Sequence, residues 1–444
     1  MQRDSIDLGT EKVGTLFREM FFPTLFGMLS ISAVTVADGI FVGRGVGSDG
    51  IAAVNICIPL LMLFTGAGLM SGIGASVAAS IHLARGKTKA ARLNVTQSLL
   101  FVTLVTALPA AVIAAAPEHA GLLLGSSRRL LPLVTDYIVW FVPALPLQMW
   151  ITVGLFVIRL DGAPRLAMWC SVVSAAVNVV LDYLFIFPLG WGVAGAAAAS
   201  SLAQLAGGAI VMVYLTLYAR TLRLHPIKRS MKSLRLSLRN IAYHCRIGFS
   251  AMLGEATLAV LMFCGNLTFM HYLGDQGVGA FGIACYYLPF AFMVGNAIAQ
   301  SAQPIVSYNF GAGNDERVRS AGRIALATAV VCGAVSTAAF CLFPRELVGL
   351  FLPDDNESAR IAAEGFPYFS VGFIPFVVNL TAIGYFQSLE RARRATIFAL
   401  LRGLILLIPS FVLMPLAAGT AGIWLAMPVS ELLTCAVQSA AKGE

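Results

Sequence analysis

The sequence predicts an all-α integral membrane protein. Its twelve transmembrane helices form two six-helix bundles related by a pseudo-two-fold axis along the membrane normal. Three observations predict it. The 444 residues are 58% hydrophobic and 12% charged, where a soluble chain carries about a quarter charged residues. The apolar residues fall in runs, each long enough to cross a hydrocarbon core of about 30 Å with roughly 20 helical residues. And the chain repeats itself halfway along. A soluble protein of many buried helices is disfavoured, because almost no polar-faced helix is left to cover them.

The runs lie, in order, at 15–43, 52–81, 94–116, 132–158, 165–188, 193–219, 241–272, 278–306, 321–343, 364–388, 395–417 and 420–441. The first contains MFFPTLFGMLSISAVTVADGIF, with Pro23 near its start and Asp38 near its end. Proline lacks an N–H and bends a helix, here either as a fixed kink or as a hinge. The fifth contains SVVSAAVNVVLDYLFIF, in which Asn178 and Asp182 are four apart and share a helix face. The sixth carries Ser200 early, and the seventh carries Glu255 in GFSAMLGEATLAVLMF. Asp136 and Glu431 are less surely intramembrane acids. Arg246 and Arg402 are the bases within or at the edge of a span.

A shift of 227 positions lays GSDGIAAVNI (47–56) on GDQGVGAFGI (274–283) and FPLGWGVAGAA (187–197) on MPLAAGTAGIW (414–424). The turn LDGAPR (160–165) answers LERARR (389–394) with a two-residue slip. The expected organisation is an amino-terminal lobe, 1–218, a basic linker, 219–240, and a carboxy-terminal lobe, 241–444. Six spans per half return the chain to its starting side, so the repeats run parallel and enclose a central cleft that opens to either side as the halves rock.

The net charge of +8 is distributed by topology. The connections on one side carry most of the Lys and Arg, seven of them in the 219–240 linker, and those on the other side carry five. Positive residues stay cytoplasmic, so both termini are expected inside a plasma (inner) membrane, the linker near anionic headgroups, and nucleic acid is not the partner. The N-terminus shows no cleavable signal, since the first apolar run exceeds a signal h-region. Eight scattered cysteines without a CxxC pair predict neither disulfides nor a metal centre.

An ionised group at the bilayer centre costs about 2.5–3.5 kcal/mol on insertion scales and marks a functional site. With the termini inside, Asp38, Asn178, Asp182 and Ser200 all fall in the outer half of the first lobe. Two carboxylates, an amide and a hydroxyl suit a hard cation such as Na⁺, and mutual repulsion of the carboxylates equally favours a shared proton. Glu255 either attracts a cationic substrate, serves a second coupling site, or makes a structural pair.

On these residues the chain resembles the multidrug and toxic compound extrusion (MATE) transporters over nearly its whole length, through VADGIFVGRGVG and NVVLDYLFIFPLGWGVAGAAAASSLAQ. The ADGIFVG run is similar to the DinF/MepA-like branch. The resemblance implies that Asp38, Asn178 and Asp182 form the cation site, with Ser200 where many members carry Thr, and that Glu255 matches an acid of the NorM-type branch. That branch's tenth-span acid is absent from 366–388. The expected function is a monomeric antiporter without cofactors. It exports an organic, cationic and amphipathic compound in exchange for H⁺ or Na⁺. A flippase for a lipid-linked saccharide is the alternative, disfavoured by the scarcity of intramembrane Arg and Lys for a pyrophosphate. An enzyme is not expected, for want of a GxGD motif or a membrane-embedded Ser/His or zinc constellation.

Overall fold

Long apolar helices account for nearly all of the chain. The structure, a computed structural model, describes residues 7–227, 230–351 and 356–440. The ends of the N-terminal stretch and of the final run, and linker positions 228 and 229, lie outside the described residues. The first six spans are α1 (Val13–Gly45), α2 (Asp49–Ala84), α3 (Thr88–Ala115), α4 (Leu131–Leu160), α5 (Pro164–Ile186) and α6 (Gly192–Tyr218). The next three are α7 (Met231–Gly274), α8 (Gln276–Gly311) and α9 (Asp315–Leu342). α10 is a bent pair, Glu357–Ser370 and Phe373–Ser388, angled by 49°. The helical stretch Ala392–Ala440 has 49 residues, about 74 Å at 1.5 Å per residue, which is far more than one bilayer crossing. Non-helical Ala418 and Gly419 divide it into α11 and α12. Twelve spans result among the described residues, in agreement with the sequence.

The turns between spans show the repeat in backbone form. Gly47 and Gly274 (φ 91° and 63°), Gly86 and Gly313 (70° and 75°), and Gly192 and Gly419 (57° and 58°) are three pairs of left-handed glycines. Each pair is separated by 227 positions. Side chains disfavour this region, so a span that must end abruptly uses glycine at the same place in both halves. The turn after α4 corrects the sequence alignment. There Gly162 (φ 84°) matches Glu390 (φ 58°), and the bonds Gly162 N–H to Arg159 and Ala163 N–H to Ile158 recur as Glu390 to Gln387 and Arg391 to Phe386. The slip is therefore one residue rather than two, and α5 aligns with α11 at an offset of 228.

α7 begins at Met231, ten residues before its apolar run, with Ser230 accepting the Ser233 N–H (3.2 Å) as its cap. The basic MKSLRLSLRN stretch is thus helix rather than linker; apolar content reports the hydrocarbon, not the helix end. The remaining linker is anchored. Asp161 accepts the backbone N–H groups of Arg220, Thr221 and Leu222 (2.9 Å each) and the Tyr214 hydroxyl (2.8 Å). Arg92 Nε donates to the Thr221 carbonyl (2.7 Å).

Two compact units result, Met1–Gly248 with Ser307–Asn314, and Phe249–Val306 with Asp315–Glu444. The first unit thus takes in the opening turns of α7 and the end of α8, beyond the 218/241 boundaries of the sequence repeat. The reason is a backbone-to-backbone crossing. A Cβ on Gly74 of α2 would overlap the His244 carbonyl of α7, and one on Gly248 of α7 would overlap the Met70 carbonyl of α2. Beside it, His244 Nε2 meets Asn94 Oδ1 (2.6 Å), Gln97 donates to Ser237 (2.9 Å), and Asn240 donates to Gln97 (3.0 Å). His244 is consequently buried.

Gly248→Ala is expected to cost about 1–3 kcal/mol, the usual penalty of overpacking, because its new methyl meets rigid backbone. Gly39→Ala, facing open space, is expected to be neutral or slightly stabilising. Thermal unfolding in detergent checks both.

Candidate cation site

The register of α1 against α5 sets the site. A Cβ on Gly27 would lie 3.5 Å from Ser171, and one on Gly45 would overlap the Ile186 side chain. The two helices therefore run parallel at close quarters, as small residues permit in membranes. Asp38 and Asp182 each lie eleven residues beyond the Gly27–Ser171 contact (27 to 38, 171 to 182). They stand within about one helical turn of each other on adjacent helices, with Asp182 near enough to feel the charge of Asp38.

α6 runs back along α5. Ser174 donates to the Ala203 carbonyl (2.9 Å), and one turn on Asn178 Nδ2 donates to Ser200 Oγ (3.2 Å). Asp182 is 0% exposed and Asn178 5% exposed. The structure thus brings together all four residues singled out for cation coupling. It adds Tyr137 of α4, a buried phenol within electrostatic range of both Asp38 and Asp182. Sequence reasoning missed it, since one Tyr in an apolar run looks like any packing aromatic.

Three carboxylate oxygens, Asp38 Oδ1 and both of Asp182, are buried without a hydrogen-bond partner. An acceptor left so costs about 1–3 kcal/mol, more when charged. Asn178 uses its donor on Ser200 and leaves its carbonyl oxygen free of that bond. The chemistry that relieves such a set is positive charge: a proton on a carboxylate, or a monovalent cation among carboxylate, amide and hydroxyl oxygens. Among the described residues no group of three or more His, Cys, Asp or Glu comes together as a metal cluster.

The comparisons with known proteins identify the family. The MatE family model matches residues 23–184 and again 251–412, more than half of the chain. The chain belongs to the MatE family. The second match begins within one residue of where the 227-residue repeat places it. A relative from Shewanella oneidensis named "FAD transporter" is 23% identical over 97% of this chain and 94% of its own. "Multidrug export protein MepA" of Staphylococcus aureus (strain MSSA476) is 24% identical over 90% of this chain and 87% of its own. A solved structure described as the outward-facing conformation of a MATE family transporter superposes with a TM-score of 0.89 at 20% identity, covering 97% and 95% of the two chains. The family is one of multidrug and toxic-compound efflux transporters, which places this chain outside the enzymes.

The other singled-out residues of this MatE-family chain lie elsewhere. Pro23 sits within a continuous α1, next to Thr24, whose buried hydroxyl oxygen has no partner. Glu255 belongs to the second unit and has no hydrogen-bond or ion-pair partner among the described residues. Asp136 is exposed. Glu431 is wholly committed. Arg402 Nε donates to both of its oxygens (2.8 and 3.0 Å), and Asn379 Nδ2 donates to Oε2 (2.6 Å). The signal for that pair was present in the sequence as one intramembrane base and one acid in neighbouring spans.

Two aspartates should respond oppositely to neutralisation. Asp182→Asn removes a charge that nothing in the fold compensates, so thermal unfolding in Na⁺-free neutral buffer is expected to show an unchanged or higher Tm. Asp161→Ala removes the acceptor of three backbone N–H groups and of one Tyr214 hydroxyl bond and is expected to destabilise the fold by about 1–3 kcal/mol, read as a lower Tm.

Proposed function

We propose that the chain is a secondary antiporter. Na⁺ or H⁺ enters down its gradient at Asp38, Asn178, Asp182 and Ser200, and an organic, cationic and amphipathic molecule leaves. The observation that carries this reading is the buried Asp182 beside the half-buried Asp38, with three carboxylate oxygens that have no donor among the described residues. In hydrocarbon such a pair persists only if a mobile positive charge visits it. Membership of a transporter family supports the same reading from a different direction. The two six-span halves rock about the site, and Pro23, fifteen residues before Asp38 on the same helix, is the hinge that lets α1 respond to the charge state of the acids.

The basic linker and both termini face the cytoplasm of a plasma (inner) membrane in this reading, which rests on the distribution of Lys and Arg. A second substrate class also merits assay. A relative aligned over 97% of this chain is named an FAD transporter, so a flavin dinucleotide stands beside cationic compounds.

In everted vesicles, wild type is expected to move a fluorescent cationic dye against its gradient when Na⁺ or H⁺ is supplied, with Asp38→Asn and Asp182→Asn each abolishing the gradient-driven component. Undiminished efflux in both variants sinks the coupling site. Proteoliposomes with and without a Na⁺ gradient, read by an internal pH dye, then assign the ion.

A further inference from the structure

The second unit also buries an acid between its last two spans, but equips it differently. At the offset of 228, Arg402 of α11 stands where α5 has Ser174; at 227, Ser430 and Glu431 of α12 stand where α6 has Ala203 and Gln204. The Ser174–Ala203 contact lies one turn from the Asn178–Ser200 contact in the first unit. Its counterpart is an ion pair whose two side chains are each 1% exposed. The positions answering Asp38, Asn178, Asp182 and Ser200 are Gly265, Leu406, Ser410 and Met427, so no carboxylate remains there.

The way Arg402 is held identifies its task. A structural guanidinium uses its planar fork, with two parallel bonds to a carboxylate. Here Nε alone serves both Glu431 oxygens, while Nη2 is buried without a partner. The group lies over the Phe376 ring, 4.3 Å from its centroid, as a cation does. Gly403, beside it in the π turn Leu401–Ile405, brings that turn against Thr257 of α7, where a Cβ would overlap the hydroxyl. Such turns are enriched at functional sites. Arg402 thus behaves as a single charge delivered to one carboxylate.

We propose that Arg402 is a tethered cation. It fills, from within the chain, a cation site at Glu431 that would otherwise draw Na⁺ or H⁺ from solution, so the second unit exchanges no ion at Glu431. Ion exchange at Glu431 is then excluded, while Glu255, the unpartnered acid of the same unit, is untouched; the contrast with the first-unit site rests on the proposed function.

The test is made in the Asp38→Asn/Asp182→Asn background, purified in detergent, with Tm followed across a Na⁺ titration and from neutral to acid pH. The background, which still holds Glu255 and the other acids, sets the baseline, and the inference is read from the increments over it. Adding Arg402→Gln is expected to lower Tm in Na⁺-free neutral buffer, with Na⁺ or acid restoring most of the loss. Arg402→Lys keeps the background profile, and Arg402→Gln/Glu431→Gln removes both the loss and the added ion response. A loss in Arg402→Gln that is the same at every Na⁺ concentration and pH overturns the proposal and makes the pair simple adhesive between α11 and α12. Where Arg402→Gln does not survive purification, the double variant decides: recovery at the parental yield supports charge compensation, and its absence overturns it.

Discussion

The first unit depends on carboxylate oxygens sealed from water and from every donor in the fold. A charged group so placed is tolerable only while something positive is near it, and hydrocarbon supplies nothing. The surrounding helices are arranged around that need. Gly27 and Gly45 let α1 lie close enough to α5 for Asp182 to feel the charge of Asp38. The alanine-rich start of α6 brings Ser200 onto Asn178. Removing the glycines would separate the acids, and each would then be an ordinary misplaced charge rather than half of a site.

Duplication preserved backbone and released side chains. A span that must turn within a residue or two has few conformational solutions, and the left-handed glycine recurs at 47/274, 86/313 and 192/419 for that reason. Side chains inside the bundles face no such restriction once total packing and charge are satisfied. The same helix pair therefore carries Asn178 and Ser200 in one half and an Arg–Glu pair in the other.

Legibility followed the same division. Apolar run length gave the spans, because the hydrocarbon imposes one length on all of them, and buried polar residues in those runs gave Asp38, Asn178, Asp182 and Ser200. What failed to show was anything decided by neighbours rather than by the segment itself. The polar first turns of α7 are helical because Ser230 caps them and α2 and α3 receive them. His244 lies near the start of an apolar run, and only Asn94 and Gly74 against it make it a buried group. Tyr137 carries no mark in sequence that sets it apart from the other ten tyrosines. The slip between α4 and α5 was misjudged by one residue because matching letters placed Gly162 on Arg391, whereas the hydrogen bonds place it on Glu390.

An ion shifts a conformational equilibrium only by the difference in its affinity for the two states. A pair of acids on two different helices provides that difference readily, since any movement of α1 along or away from α5 alters how many carboxylate oxygens one ion can reach at once. A pair whose cation is covalently attached responds far less, because the guanidinium moves with its own helix and keeps its carboxylate through a modest shift. Two halves with one backbone can therefore divide the labour by side chain alone. Under the proposed function, the charge at Asp38 and Asp182 comes and goes with the gradient, while the Arg402–Glu431 pair keeps its charge throughout.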